Sequence, residues 1–468
     1  MFRPARSYRS WVAGCTAVVG FLLLTHILLL RPTPNNTSSV SWQSWLRRPR
    51  AKPWTLSRDP STSISSSSSK SLPLSEKFLT FLPHSGLHNQ RIALINAAIL
   101  AHALNRTLLM PELNLGKATF WRPSGDLAEK LARCPGNNLK TESCYDYRDY
   151  VPVPVDEIFD LTPLHELGIR TMQRHDMSQD YFLRYWGIDE NNADEMMYIL
   201  DDTTRYSYQI HDELVVPNAT LKQFQTRVDI QDLAKRQEPF ILFGSLFGSQ
   251  RLALTRSDLL NMREYLRQQV GVKHPAVLHE ANEIVDRLGG PNNYLSVHLR
   301  QGDGRFKKEA KKTTDQIRRA LKKCAQSHNN DGSDGEDEDD EETNLAELQQ
   351  HIDDRPLLLK ACVAAQGKQR HPSLRLIYMA TDTKSPREKF ADLYDEFVCL
   401  FTLNDFPDVV QAIRDTISDE DPYLRDGKRL LPLVDGEVAA NADHFVPTPK
   451  STFSGYIRQR NALFHELI

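Results

Sequence analysis

The stretch "YLSVHLRQGDGRF", Tyr294 to Phe306, passes from a strand into a charged loop. Apolar and polar residues alternate up to Leu299, with the period of two that is typical of a strand. His298, Arg300 and Asp303 then stand at its end, among glycines. In an open α/β sheet ligands bind at the carboxyl ends of the strands, and the planar fork of arginine matches phosphate oxygens. The stretch therefore predicts a phosphate-binding strand end, with an Arg–Asp pair that closes a turn as the alternative.

The flanking segments alternate between helix-like and strand-like patterns. A helix is predicted over Ala276 to Leu288, and a second apolar strand over Leu374 to Asp382. "ADHFVPTPKSTFSGYIRQRN", Ala442 to Asn461, is read as a strand, a turn with two prolines and a helix that opens near Ser451. Ser257 is the predicted cap of a further helix.

The chain has a second βα region before these segments. "KFLTFLP" is a predicted strand, "RIALINAAILAHAL" an amphipathic helix, and "RTLLMPEL" the next strand. Gly86, in the loop between strand and helix, lets the backbone approach a ligand where helix N–H groups favour anions. Two βα-rich halves predict an α/β fold with two Rossmann-like domains, 76–275 and 276–468, that face each other across a cleft.

The N-terminus contains one long apolar segment. Trp11 to Leu30 carries no charged residue and is about long enough to cross a bilayer as a helix. Three arginines precede it, which predicts a cytoplasmic tail over 1–10 and a signal anchor over 11–30. A cleaved signal peptide is the alternative, but no small-residue cleavage pattern follows. The expected protein is a single-pass type II membrane protein of the Golgi or endoplasmic reticulum, with most of its mass in the lumen.

Two segments have compositions that disfavour a packed core. Residues 31–75 are rich in Ser and Pro and are predicted to be a flexible stalk. Residues 329–344 include a strongly acidic run, predicted to be a solvated insertion rather than a metal site. Asn35, Asn36 and Asn218 stand in glycosylation sequons, whereas the sequon at Asn105, between a helix and a strand, is expected to be unmodified.

Charge and cysteine content exclude other classes of protein. A formal net charge of −3 argues against a nucleic-acid binder with a general basic surface. Six cysteines are too few for a disulfide scaffold of this length. Cys134 and Cys144 enclose a short loop and are the favoured disulfide, and one of Cys324, Cys362 and Cys399 is left over.

Four stretches, in this order, resemble the GDP-fucose protein O-fucosyltransferase family. They are "SGLHNQRIALINAAILAHALNRTLLMPEL", "VHLRQGD", "IYMATD" and "ADHFVPTPKSTFSGYIRQR". The resemblance spans residues 85 to 460 and implies a GT-B type, inverting transferase that uses GDP-fucose as its donor and no metal or cofactor. The resemblance implies that Arg300 contacts the β-phosphate and that Asp303 orients Arg300. Both are therefore expected to be catalytic residues.

The same resemblance assigns further donor contacts. His298 and Asp443 are implied to read the guanosine, and Thr452 with Phe453 to hold the phosphates. The donor-binding residues predicted in all are Gly86, Asn89, His298, Arg300, Asp382, Asp443, Ser451, Thr452 and Phe453. Structural alternatives are a core histidine for His298, a cap for Asp443, N-capping by Ser451 with Thr452, and core packing for Phe453.

The acceptor side departs from the family pattern. His88 stands where a Gly is common, and "LPHSGLHNQR" lacks the carboxylate that serves some relatives as a catalytic Glu. His84 and His88 are the candidate bases for an acceptor hydroxyl, with ordinary surface histidines as the alternative. The expected acceptor is Ser or Thr of a secretory-pathway protein. The alternatives are another GDP-sugar or a glycan acceptor, or a non-catalytic luminal binding protein.

Overall fold

The central strand predicted from the sequence is present, as Leu295–Leu299, in a computed structural model of the protein. The structure describes residues 76–135, 142–147, 149–174, 176–189, 191–213, 221–248, 250–302, 304–327, 348–366, 374–416 and 427–466. The predicted tail, anchor and stalk lie outside these residues. So do Asn35, Asn36, Asn218, Asp303 and the acidic insertion 329–344.

The described residues form fourteen strands and seventeen α-helices. The strands are β1 Phe78–Phe81, β2 Thr107–Met110, β3 Leu113–Asn114, β4 Pro152–Val153, β5 Thr171–Gln173, β6 Met197–Leu200, β7 Tyr208–His211, β8 Thr226–Asp229, β9 Phe240–Phe243, β10 Leu252–Ala253, β11 Leu295–Leu299, β12 Ile377–Thr381, β13 Leu400–Phe401 and β14 His444–Val446. The helices are α1 Leu87–Ala103, α2 Ser124–Arg133, α3 Val155–Ile158, α4 Thr162–Glu166, α5 Gln179–Trp186, α6 Ala193–Met196, α7 Ile230–Ala234, α8 Ser257–Gln269, α9 Pro275–Arg287, α10 Gly304–Lys308, α11 Ala310–Ser327, α12 Arg355–Ala365, α13 Pro386–Lys389, α14 Ala391–Glu396, α15 Pro407–Arg414, α16 Leu431–Ala440 and α17 Thr452–Glu466.

The first sheet is parallel and has the order β5-β2-β1-β9-β6. β1 and β9 pair in register from Phe78↔Phe240 to Phe81↔Phe243. α1 follows β1, and its small and branched residues are almost all buried, because it packs against both the sheet and α17. The predicted strands and helix at the start of this region are confirmed, but the helix is buried on most of its sides and is not amphipathic as expected. A separate parallel sheet of order β10-β7-β8 and the antiparallel pair β3-β4 complete this part of the chain.

The second sheet is parallel and has the order β13-β12-β11-β14. All five residues of β11 are buried, because helices cover both faces of the strand. Leu295, Val297 and Leu299 pack in one cluster with Ile317 and Leu321 of α11. On the other face the Ser296 hydroxyl donates a 2.7 Å hydrogen bond to the Ala439 carbonyl of α16. The alternation that predicted a strand therefore separates an apolar face from a face with polar partners.

The described residues between 76 and 466 belong to one compact unit, and the predicted boundary between residues 275 and 276 stays a prediction. Disulfides join Cys134 to Cys144 and Cys362 to Cys399, whereas Cys324 is in neither. The helix predicted to be capped by Ser257 begins at that residue, so the capping prediction is wrong. The preceding Thr255 and Arg256 N–H groups instead donate to the Asp212 carboxylate at 2.9–3.0 Å.

No helix in the described part of the chain is both long and apolar enough to span a membrane.

Candidate functional site

The candidate site lies where the strand order of the second sheet changes direction. β12 and β13 follow β11 on one side of it, and β14 lies on the other. In open parallel sheets a ligand crevice forms at such a point, outside the carboxyl ends of the strands. Arg300 follows β11 at this end, and Thr448 follows β14. The two are joined directly, since the Arg300 main-chain N–H donates to the Thr448 hydroxyl at 3.2 Å.

Asp382, at the end of β12, fixes the loop after Arg300. Its carboxylate accepts the main-chain N–H groups of Gln301 at 2.9 Å and Gly302 at 2.8 Å. A Cβ atom at Gly302 would lie 2.6 Å from an Asp382 oxygen, so a side chain there would have to displace this carboxylate. Asp382 was predicted to bind the donor, but these bonds give it a positioning role in the loop.

His298 is buried, with 3% of its surface exposed. Its Nδ1 lies 2.7 Å from the Ser454 hydroxyl, which also accepts the Thr448 N–H at 3.0 Å. Burial first, and then the charge of Arg300, hold the pKa of His298 at about 3. The ring is therefore neutral at physiological pH, as a hydrogen-bonded histidine beside a permanent positive charge should be.

The Arg300 guanidinium lies over the ring of Phe306, with 4.5 Å between its central carbon and the ring centroid. This contact and the main-chain bond to Thr448 orient the side chain on the loop. Asp303, the predicted orienting partner, lies outside the described residues, and its role stays a prediction.

A row of rings joins this strand end to the first helix. Phe453, in the first turn of α17, lies 4.8 Å from the His298 ring at 87° and 4.9 Å from the His88 ring. His88 also stacks on Tyr456 at 4.5 Å. A Cβ atom at Gly436 would lie 2.9 Å from the Phe453 ring, so α16 holds that ring closely from another side. Phe453 thus packs as a core residue and touches a predicted donor-binding residue at the same time.

His84 and His88 were the candidate bases, with ordinary surface histidines as the alternative, and the structure buries both. Burial first, then Arg91, His298 and Arg300, lower the pKa of His88 to about 3. Burial and two arginines lower the pKa of His84 to about 4, and its Nε2 lies 2.6 Å from the Ser245 hydroxyl. The loop after β9 covers the His84 ring, and α17 covers the His88 ring.

The predicted residues of the first turn contribute a rigid loop. The Asn89 amide donates to the Ser85 hydroxyl at 2.7 Å, and its buried carbonyl oxygen has no partner among the described residues. Ser85 has a left-handed φ of 74°. Gly86 is the N-cap of α1 in an extended conformation, where an added Cβ atom would make only an ordinary 3.9 Å contact with Ala118. Packing within the described protein therefore does not require glycine at position 86.

Ser451 and Thr452 form the start of the last helix. The Ser451 hydroxyl accepts the Ser454 N–H at 3.4 Å, which is the N-capping arrangement. Thr452 is the first residue of α17 and is half-buried. The helix dipole favours an anion at this end, beside Arg300 and His298.

Asp443 lies at the wrong end of its strand for the predicted role. β14 begins at His444, and the Asp443 N–H donates to the Tyr294 carbonyl at 2.9 Å, before the start of β11. Arg300 lies six residues after Tyr294, which is roughly 20 Å at the rise of a strand. Asp443 instead forms an ion pair with Arg375, with a shortest N–O distance of 3.6 Å. The structure therefore does not bring Asp443 together with Arg300.

Sequence reasoning missed a carboxylate close to the site, Asp435 of α16. It accepts the Tyr378 hydroxyl at 2.7 Å and the Thr381 N–H at 3.2 Å, at the carboxyl end of β12. Burial raises the pKa of this carboxyl to about 7. Its neighbour Gly436 packs on Phe453. An acidic residue inside the apolar run "LPLVDGEVAA" was the available signal.

A second missed group is a buried ionic network that ties α1 to the end of the chain. Arg91 donates to the Val270 carbonyl at 2.7 Å and to the Gln459 side chain at 3.2 Å, and its guanidinium lies 4.9 Å from the Tyr456 ring centroid. Tyr456 donates to the Glu437 carboxylate. This network fixes His88, on α1, against α17.

The arrangement as a whole suits a phosphate ester. It combines Arg300, a neutral His298 and the N-terminus of α17 at one strand end, with rings packed behind them. In the described ranges, no three His, Cys, Asp or Glu side chains gather in a way that could hold a metal ion.

Comparison with known proteins gives one family. The family model described as GDP-fucose protein O-fucosyltransferase matches residues 78–463. Among solved structures, POFUT1 in complex with GDP is 12% identical over 82% of this chain and 94% of that chain, with a TM-score of 0.36. NodZ alpha-1,6-fucosyltransferase soaked with GDP-fucose is 11% identical over 82% and 92%, with a TM-score of 0.36. The fucosyltransferase NodZ from Bradyrhizobium is 11% identical over 82% and 93%, with a TM-score of 0.33. No curated protein matches.

Proposed function

This chain is a glycosyltransferase of the GDP-fucose protein O-fucosyltransferase family, and we propose that it transfers fucose from GDP-fucose to Ser or Thr of a secretory-pathway protein. The proposed reaction inverts the anomeric centre and uses no metal. The observation that carries the proposal is the position of Arg300, at the carboxyl end of β11 and beside the neutral ring of His298.

The chemical demand of this reaction is the negative charge that grows on the departing GDP. The bond between the fucose anomeric carbon and the β-phosphate oxygen breaks, and the acceptor oxygen bonds to the opposite face of that carbon. Donors already positioned for the growing charge are usually the largest catalytic contribution. The Arg300 fork and the N-terminal N–H groups of α17 are assigned this role.

The proton of the acceptor hydroxyl needs a separate destination. His84 and His88 are not assigned the role of base, because both rings are buried and their pKa values lie at about 4 and about 3. In the proposed mechanism catalysis therefore depends on stabilising the leaving group. The acceptor proton leaves late, to solvent water, once the acceptor oxygen is bonding to fucose.

The proposal also includes location in the cell. Residues 11–30 would anchor the protein in the Golgi or endoplasmic reticulum membrane, with the transferase in the lumen, as their length and the preceding arginines suggest. Protease added to sealed microsomes should then remove only the extreme N-terminus. Digestion of the main body without detergent would contradict this orientation.

The test of the activity is hydrolysis of a panel of GDP-sugars by the full-length protein in detergent, with and without EDTA. GDP-fucose should be hydrolysed at least tenfold faster than GDP-mannose, and EDTA should not change the rate. Preference for another GDP-sugar, absence of any hydrolysis, or EDTA inhibition reversed by manganese would each overturn a stated part of the proposal.

A further inference from the structure

A cavity of about 260 Å³ lies against one face of the first sheet and reaches the carboxyl ends of its strands. The ends of two neighbouring strands line it, Thr80 to Leu82 from β1 and Leu242 to Gly244 from β9. In this sheet β2 and β5 lie on one side of β1, and β9 and β6 lie on the other side. The cavity thus occupies in the first sheet the kind of position that Arg300 occupies in the second, where parallel sheets bind their ligands.

The cavity wall includes a hydroxyl that is unpaired among the described residues and the N-terminus of a helix. Thr80 is 2% exposed, and its hydroxyl has no hydrogen-bond partner within the described part of the protein. Buried hydroxyls are rarely left in this state. The N-terminus of the ten-residue helix α2 also lines the cavity, through Ser124 and Gly125. Of the atoms described, none lies within 4 Å of where a Cβ atom at Gly125 would stand, so this side of the first turn of α2 faces open space, whereas the Ser124 N–H donates to the Asp202 carbonyl at 3.0 Å.

Arg174 adds a positive charge to the wall. Its guanidinium donates to the main-chain carbonyls of Asp176 at 3.0 Å and Met177 at 3.3 Å and lies 5.0 Å from the Phe182 ring centroid. Burial lowers its pKa to about 10, so it remains charged at neutral pH. A carbonyl or carboxylate oxygen entering the cavity would find this charge and the α2 N-terminus.

The rest of the lining is mainly apolar. It includes Phe81, Leu82, Met177, Phe182, Met197 and Ile199. Ile199 is 48% exposed, which places an apolar side chain at the solvent-facing side of the wall. Methionine side chains adapt to irregular apolar shapes. The lining also includes the polar side chains of Gln179 and Asp201, so the cavity fits one large apolar side chain with a polar group beside it.

We propose that this cavity is an anchor site for the acceptor, which holds a large apolar or aromatic side chain of a polypeptide and one oxygen of the same segment on Arg174. This inference rests on the proposed function. Leu82 lines the cavity and His88, six residues later, touches Phe453 beside the donor site. Six residues span at most roughly 20 Å. The anchoring side chain should therefore lie within about six residues of the fucosylated Ser or Thr.

The test compares two substitutions on α2. Ala128 lines the cavity, so Ala128→Phe would fill it, whereas Ala132 is exposed on the same helix and Ala132→Phe is the matched control. Microsomes in which either variant replaces the native chain are given radiolabelled GDP-fucose, and protein-bound fucose is measured against free fucose. Ala128→Phe should lower this ratio at least tenfold and leave the release of free fucose unchanged, and Ala132→Phe should change neither.

A small probe covers the case in which Ala128→Phe does not fold. N-acetyl-tryptophan carries an aromatic ring and a carboxylate, so it should inhibit protein labelling by the native chain without inhibiting GDP-fucose hydrolysis. An unchanged ratio in a folded Ala128→Phe variant, or a probe that fails to inhibit labelling, would overturn the anchor site. Absence of GDP-fucose turnover by the native chain would instead refute the proposed function.

Discussion

Replacing Arg300 by lysine separates charge from geometry at the donor site. Lysine keeps the positive charge beside His298, but it loses the planar fork and part of the contact with the Phe306 ring, which lies 4.5 Å from the guanidinium carbon. An interaction that strengthens in the transition state affects kcat more than ground-state binding. Losing one such donor costs about 10²–10³ in rate, roughly 3–4 kcal/mol. We expect kcat for GDP-fucose hydrolysis to fall by that order. GDP affinity, measured by calorimetry, should weaken less than about tenfold, ~1.4 kcal/mol.

The matched control is Arg305→Lys. Arg305 lies on the next helix, is exposed, and pairs with Glu309 at 2.8 Å, so an exchange of charge type there should leave kcat within about twofold. Near-normal turnover by a folded Arg300→Lys protein would refute the catalytic role. A parallel loss of melting temperature and GDP affinity would show that Arg300 only supports the loop.

Three further predictions concern the framework of the site. Gly302→Ala should lower kcat up to about a hundredfold by displacing the loop from Asp382. The control Gly455→Ala should not lower kcat, because no described atom lies within 4 Å of the new Cβ. Equal rates for the two variants would contradict the role of the loop. The pKa of Asp435 is raised to about 7, so its contribution to stability is present at low pH and is lost as pH rises through 7. Relative to Asp435→Asn, the native chain should therefore lose about 2 kcal/mol of unfolding free energy between pH 5 and pH 7, and a constant difference would disprove this. Replacing Cys362 and Cys399 by alanine should cost about 4 kcal/mol, against about 3 kcal/mol for the Cys134 and Cys144 pair, because their sequence separations are 37 and 10. Denaturant unfolding of the two double variants would show the opposite order if the bridges act mainly through local packing.

The strands that the sequence predicted well are those buried on both faces. β1, β11 and β12 are short apolar runs bounded by turn residues, and each lies in the interior of a parallel sheet. Few strands were predicted between residues 145 and 273, because several strands of this region are short and partly exposed. β8 lies at the edge of its sheet and is partly exposed, and its sequence shows no clear alternation of apolar and polar residues. Composition alone cannot assign such segments to a sheet.

Site residues were predictable where chemistry and chain position coincide. His298 and Arg300 follow one another along a strand, and Ser451 stands directly before a helix. The Ser454 hydroxyl contacts His298, which lies 156 residues earlier in the sequence. The Asp435 carboxylate accepts a hydrogen bond from Tyr378, 57 residues earlier, so only the fold brings these pairs together. Asp443 failed for a different reason. β14 has three residues, and an aspartate one position before it reads in the sequence much like one at its carboxyl end.

The burial of His88 explains how the site keeps its positive charge for a ligand. The ring fills the space between the starts of α1 and α17, packed against Phe453 and Tyr456. Burial, and then the charges of Arg91, His298 and Arg300, hold its pKa at about 3, so the ring stays neutral. A protonated His88 would compete with Arg300 for the phosphate oxygens and would cost the desolvation of a second cation. The fold thus places neutral rings behind the positive charge of Arg300. For this reason we regard His88 as a packing residue of the proposed donor site and not as its base.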